Sequence, residues 1–112
     1  LRKTIKIREL KNKPENYDIV IIGTPVWAGN ICSPIRSFLE KYKKNFKRVS
    51  FFCTSLGSDK NILFQEMEDI IQTKPLAVMA VSKRDILKKA HIQMIEKYIE
   101  KIFKNQNMKG EI

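Results

Sequence analysis

The chain has 112 residues and a mass of 13.1 kDa, which is enough for one domain and excludes two independent hydrophobic cores. Hydrophobic residues make up 43% and charged residues 30%, and this balance excludes a disordered or fibrous protein. The formal net charge is +10, so acidic proteins, nucleic acid and anionic membranes have to be considered as partners.

The cysteines and the apolar runs restrict the class of protein further. Cys32 and Cys53 lack a C-x-x-C or histidine-rich context, so we predict reduced thiols, with Cys53 in the core and Cys32 in a more accessible loop. No metal site and no catalytic side chain are predicted. No apolar run reaches the ~20 residues that span a bilayer, so we expect a cytoplasmic protein without membrane contact.

The lysine clusters are interpreted as solvated helix faces. They lie at residues 41–44, 83–84 and 88–89. Proteins that bind single-stranded nucleic acid combine such cations with interleaved aromatic side chains, which these clusters lack. We therefore do not expect nucleic acid to be the partner.

Three apolar runs predict strands that are buried on both faces of a parallel sheet. The first run covers residues 19–22 and is followed by the turn-forming residues 23–25, which predict the end of the strand. The second run covers residues 49–53, and the third covers residues 76–81. Their starts are spaced as expected for β-α-β units.

Three segments with helical periodicity alternate with these strands. The predicted helices cover residues 34–44, 60–73 and 86–104. Ser33 is predicted as the N-cap of the first helix, with Pro34 at its first position. Ser82 and Asp85 resemble a capping box before the third helix.

The element order β-α-β-α-β-α predicts an α/β fold, a three-layer α/β/α sandwich with a parallel three-stranded sheet. We treat residues 1–112 as a single domain, with a lead-in over residues 1–14, the alternating elements over 15–104 and a tail over 105–112. Right-handed crossovers place the first two helices on one face and leave the third alone on the other. We therefore expect an exposed hydrophobic face and an unpaired edge strand, through which the chain forms a homo-oligomer.

Two segments that follow strands are candidates for a binding site, because ligands of open α/β sheets bind beyond the carboxyl ends of the strands. The first candidate segment, residues 24–30, contains the only tryptophan, Trp27. The second candidate segment, residues 54–58, is a hydroxyl-rich turn whose backbone N–H groups can reach a ring or an anion. Together they are suited to hold a flat ring with polar edges. Alternatively, Trp27 covers its own loop and the hydroxyl-bearing residues only form a turn.

Residues 17–30 (YDIVIIGTPVWAGN) and 33–39 (SPIRSFL) resemble the middle of flavodoxin-like proteins, and residues 51–58 (FFCTSLGS) are similar to that family's next strand and loop. The resemblance covers most of residues 15–104. It implies that FMN is the cofactor, that Trp27 stacks on the flavin ring, and that backbone groups of both segments bond its edge. The implied cofactor-binding residues are Thr24, Pro25, Val26, Trp27, Ala28, Gly29 and Asn30 in the first segment and Thr54, Ser55, Leu56, Gly57 and Ser58 in the second.

The resemblance implies electron transfer or a related flavin reductase activity, with a redox partner protein or a small-molecule acceptor. Flavodoxins begin with a strand and a Ser/Thr-rich, glycine-containing loop that binds the FMN phosphate, and this sequence has no such segment. We therefore interpret the chain as the carboxyl-terminal part of a flavodoxin-like domain, truncated at its amino terminus and lacking the first two strands, with weakened FMN binding. The alternative is a truncated flavodoxin-derived module without flavin, which acts through self-association or a protein partner.

Overall fold

The computed structural model describes residues 10–27, 30–54 and 60–110, without the side chains of Trp27 and of residues 107–110. The described residues form a sheet with helices on both faces. A short 3-10 helix covers Pro14–Asn16. The strands are β1 (Val20–Trp27), β2 (Asn30–Ile31), β3 (Val49–Thr54) and β4 (Val78–Val81). The helices are α1 (Ser33–Tyr42), α2 (Lys60–Ile71), α3 (Lys83–Leu87) and α4 (His91–Gly110).

The strand order is β2-β1-β3-β4. Strands β1, β3 and β4 are parallel, with Val20 opposite Val49 and Phe51 opposite Val78. The predicted α/β class and the parallel core are confirmed. The prediction of a purely parallel, three-stranded sheet is wrong, because the two residues of β2 pair antiparallel with the end of β1.

Strand β1 is twice as long as the apolar run that predicted it. The strand does not end at residue 22 but continues through Gly23, Thr24 and Pro25 to Trp27. Pairing with β3 extends to Pro25, which lies opposite Thr54, and the last two residues pair with β2. Among the described residues, β1 has no second neighbour before Val26, so the missing N–H of Pro25 costs no sheet hydrogen bond there. Long-range pairing therefore overrides the local turn signal.

The helix boundaries differ from the sequence prediction, and the last helix continues to Gly110, into the predicted tail over residues 105–112. The predicted helix over residues 86–104 is divided into α3 and α4. Lys89 adopts a left-handed conformation with φ 58°. Its N–H donates a hydrogen bond to the Ile86 carbonyl, and the N–H of Ala90 donates to the Asp85 carbonyl. This is a Schellman motif, formed here without the usual glycine, so no sequence signal marked the break. At α1, the N-cap is Cys32 rather than Ser33.

The two faces of the sheet are covered unequally, as the handedness of the crossovers predicts. On the front face, α1 and α2 enclose a core that includes Leu39, Phe51 and Met67. The buried Arg36 forms an ion pair with Glu66 between these two helices. On the back face, α4 packs over β3 and β4, while Ile21 of β1 is 50% exposed. The back face of β1 is therefore open.

A buried polar cluster attaches α4 to the back face. The Tyr98 hydroxyl donates a hydrogen bond of 2.9 Å to the Phe51 carbonyl. Ser50 Oγ lies 2.6 Å from the Tyr98 hydroxyl oxygen and 2.8 Å from the carbonyl oxygen of Ala77. Burial raises the pKa of Tyr98, since the phenolate would be poorly solvated there. The cluster thus links α4 to the backbones of β3 and of the residue before β4.

Among the described residues, none of the helices combines the length and the hydropathy needed to cross a membrane.

Gly23 generates a prediction about stability. It lies opposite Phe52 in the β1–β3 register, and a Cβ atom at Gly23 would lie 2.1 Å from Phe52 Cζ. We expect Gly23→Ala to lower the free energy of unfolding by about 1–3 kcal/mol, the usual effect of overpacking, as measured by urea denaturation. In a Phe52→Leu background the same substitution should cost clearly less. An equal cost in both backgrounds would show that the aromatic ring is not the cause.

Candidate functional site

The two candidate segments leave the sheet side by side. Pro25 lies opposite Thr54 where β1 and β3 run together towards their carboxyl ends. Helices α2 and α3 also begin at this edge, since they follow the parallel strands β3 and β4, which end there. Helix amino termini carry partial positive charge, so the edge favours an anionic ligand.

The described residues of the first candidate segment lie in paired strands rather than in a loop. Thr24 to Trp27 belong to β1, and Asn30 begins β2. Trp27 of β1 lies opposite Asn30 of the antiparallel strand β2, and two residues separate them along the chain. These two residues, Ala28 and Gly29, lie outside the described part of the chain.

Thr24 is engaged inside the protein. Its side chain is buried, with the hydroxyl oxygen 3.5 Å from Cys32 Sγ and donating a hydrogen bond of 2.8 Å to the Pro25 carbonyl. Val26 packs against the front-face core, whereas Pro25 is exposed. The prediction that Cys32 is the more accessible thiol is wrong, because it is buried beside Thr24 at the start of α1.

The second candidate segment is described only at its first residue. Thr54 is exposed and ends β3, while Ser55, Leu56, Gly57 and Ser58 lie outside the described residues. Cys53, which precedes Thr54, is a buried core residue, as predicted. Burial raises the pKa of the Cys53 thiol, and the nearby Lys60 ammonium partly opposes this effect. Both cysteines are free thiols, as predicted.

Cations surround this edge of the sheet. Lys60 begins α2, and its charge also helps to lower the pKa of Asp85 in α3. Four further cations, here called the α3 cations, lie on α3 or directly after it: Lys83, Arg84, Lys88 and Lys89. From the sequence alone they are predicted only to form a solvated helix face. Their position next to the candidate segments follows from the topology, which no local pattern reports.

The predicted capping box at the start of α3 is confirmed. The Asp85 N–H donates to Ser82 Oγ at 3.1 Å, and the Ser82 N–H donates to Asp85 Oδ2 at 2.8 Å. The hydrogen bond from the Ser82 backbone, together with that from its hydroxyl, lowers the pKa of Asp85. This reciprocal pair fixes the direction in which α3 leaves the sheet.

The cavity that the structure describes lies away from the candidate residues. In the described ranges, no cluster of histidine, cysteine, aspartate and glutamate could hold a metal ion. A cavity of about 670 Å³ lies elsewhere, along β4 between α2 and α4. Phe64, Leu76, Val78 and Lys101 are among its lining residues, and none of the predicted site residues lines it.

The described fold is that of an α/β protein whose candidate binding segments follow the carboxyl ends of two parallel strands. A family model of the flavodoxin domain matches residues 2–107, which is nearly the whole chain. The chain therefore belongs to the flavodoxin domain family.

A solved structure with a TM-score above 0.5 supports the same fold. A crystal structure of a flavoprotein in complex with FMN from Lactobacillus acidophilus NCFM matches with a TM-score of 0.57 and 24% identity, over 78% of this chain and 57% of that chain. The NMR structure of the apo-form of the flavoprotein from Lactobacillus acidophilus NCFM matches with a TM-score of 0.49 and 25% identity, over 70% of this chain and 52% of that chain. The chain thus spans little more than half the length of these structures. No curated protein matches it.

The capping box generates a prediction about pH. Because the pKa of Asp85 is lower in the folded state, its carboxylate contributes stability above the ordinary aspartate pKa of about 3.9, and this contribution is lost as the pH falls through the folded pKa. We expect Asp85→Asn to be less stable than the wild type at pH 7 and the difference to shrink below pH ~4 in urea denaturation. Asp18→Asn, at an exposed aspartate before β1, is the control. A difference that does not change with pH would contradict the role of the charge.

Proposed function

We propose that this chain is a flavodoxin-like FMN-binding protein that transfers electrons. The observation that carries the proposal is the register of Pro25 opposite Thr54 in a chain of the flavodoxin domain family, since it brings two candidate binding segments to one point of the sheet edge. The FMN bound by the flavoprotein from Lactobacillus acidophilus NCFM supports this choice of cofactor.

The described residues fit an anionic, flat cofactor. The exposed Pro25 and Thr54 provide a surface at the point where both segments leave the sheet, and Lys60 with the helix amino termini makes this edge positive. Trp27 stacks on the flavin ring, and backbone groups of residues 24–30 and 54–58 bond its polar edge. FMN supplies the redox chemistry, while the protein supplies position and electrostatics.

Titration with FMN tests the proposal. Trp27 is the only tryptophan, so its fluorescence reports on the first candidate segment alone. We expect saturable quenching of both flavin and Trp27 fluorescence. Riboflavin should bind more weakly but still saturably, because it keeps the contacts to the ring and loses only the attraction between the phosphate and the positive edge. Absence of saturable binding of either flavin would overturn the proposal.

A matched pair of variants tests the role of Trp27. Trp27→Leu should weaken FMN binding about tenfold, the factor that corresponds to ~1.4 kcal/mol of lost stacking, as followed by flavin fluorescence. Tyr17→Leu removes an exposed aromatic side chain at the opposite edge of the sheet and should leave the affinity unchanged. Equal effects of the two substitutions would exclude stacking by Trp27.

The open back face favours a second candidate function, a module without flavin that acts through self-association. Ile21 on β1 and Ile95, Ile99 and Phe103 on α4 each expose 41% or more of their surface. In the described part of the chain, β1 also has an unpaired edge up to Pro25. Burying such a face and edge against a second copy would stabilise a dimer.

Light scattering at high protein concentration tests this second candidate. We expect a dimer or larger oligomer for the wild type and a shift towards the monomer for Ile21→Lys. Ile62→Lys, at an exposed isoleucine of α2, is the control and should not change the oligomeric state. A monodisperse wild-type monomer would overturn self-association.

A further inference from the structure

Helix α3 exposes apolar side chains among cations. None of its residues is buried, and Leu87 and Ile86 are 74% and 49% exposed. Residues four apart lie on the same side of a helix, so Lys83 lies one turn from Leu87, and Arg84 lies one turn from Lys88. Leu87 is therefore the apolar centre of a positively charged surface.

Among the described residues, no salt bridge joins an α3 cation to a carboxylate. The ion pairs in the described part of the chain join Arg36 to Glu66 and Lys43 to Glu40, both away from α3. Asp85 is the one acidic residue of α3, and it is engaged by the amide and hydroxyl of Ser82. The charge of this surface is thus available to a partner.

The surface is also preorganised. The capping box at Ser82 fixes the start of α3, and the Schellman motif at Lys89 fixes its end. A helix that is held at both ends loses little conformational entropy when it binds a partner. The binding free energy from the contacts of Leu87 is therefore not offset by the cost of ordering the backbone.

We propose that α3 is a docking surface for an acidic protein, with Leu87 as the apolar contact and the α3 cations facing carboxylates of the partner. Charge complementarity supports this occupant, since the whole chain carries a net charge of +10. An anionic membrane is the poorer fit because five residues give too small an apolar face for insertion. Nucleic acid is the poorer fit because the exposed apolar residues are aliphatic and cannot stack on bases.

The place of α3 connects this surface with the candidate flavin site. Helix α3 follows the carboxyl end of β4, next to Lys60 and at the edge where β1 and β3 end. An acidic partner bound there would lie beside the candidate FMN segments. The inference that the partner is a redox protein rests on the proposed function. The docking of an acidic protein on α3 does not depend on it.

Binding of a designed probe tests the docking without flavin. The probe is a fluorescein-labelled helical peptide with one leucine face and one glutamate face, and its binding is followed by fluorescence anisotropy. We expect saturable binding that weakens as salt is added. Lys83→Glu/Arg84→Glu should weaken it by about tenfold or more, since two attractive charges become repulsive. Leu87→Ser should weaken it several-fold and leave the salt dependence unchanged.

The variants separate docking from misfolding and from net charge. Glutamate in the first turn of a helix is stabilising, so Lys83→Glu/Arg84→Glu should not unfold α3. Lys44→Glu/Lys47→Glu makes the same change of net charge at exposed positions before β3 and should bind the probe as the wild type does. Equal loss in both double variants would overturn the proposal. So would tighter, α3-dependent binding to phosphatidylserine vesicles or duplex DNA than to the peptide. Loss of FMN binding alone would leave the docking intact.

Discussion

The parallel register between β1 and β3 is the constraint on which the rest of the structure depends. It runs unbroken from Val20 opposite Val49 to Pro25 opposite Thr54. The register brings Gly23 under the Phe52 ring, where a side chain would not fit, and so lets the ring lie across the neighbouring strand. A slip of β1 by one residue would turn its buried side chains to the opposite face of the sheet. Both the front-face core and the candidate site therefore follow from one pairing.

Much of the fold could be predicted because its central strands are short apolar runs and its helices have a clear apolar stripe. The end of β1 was misjudged since Gly23 and Pro25 are local turn signals, whereas pairing with β2 and β3 is a long-range effect. The break after α3 left no trace in the sequence, because Lys89 adopts a conformation that glycine usually supplies. Local sequence patterns therefore predict where helices and strands lie, but predict poorly the residues at which they begin and end.

The position of the candidate site could be predicted from the topology and the family resemblance. The contacts of its side chains were less predictable. A threonine after a strand is a plausible ligand contact in sequence, yet the Thr24 hydroxyl is held beside Cys32 in the core. The importance of α3 could not be read from its lysines, since charged helix faces are common. It emerges only when the strand order places α3 at the edge where the two candidate segments leave the sheet.

The pairing of Trp27 with Asn30 has a consequence for how this protein can vary. Only two residues separate these partners along the chain, so the register of β2 on β1 is tied to the number of residues between them. Inserting or deleting a single residue would shift β2 by one position and turn Ile31 from the core towards solvent. Sequence changes in this segment should therefore be substitutions rather than changes of length, whereas the surface turn before β3 can tolerate both.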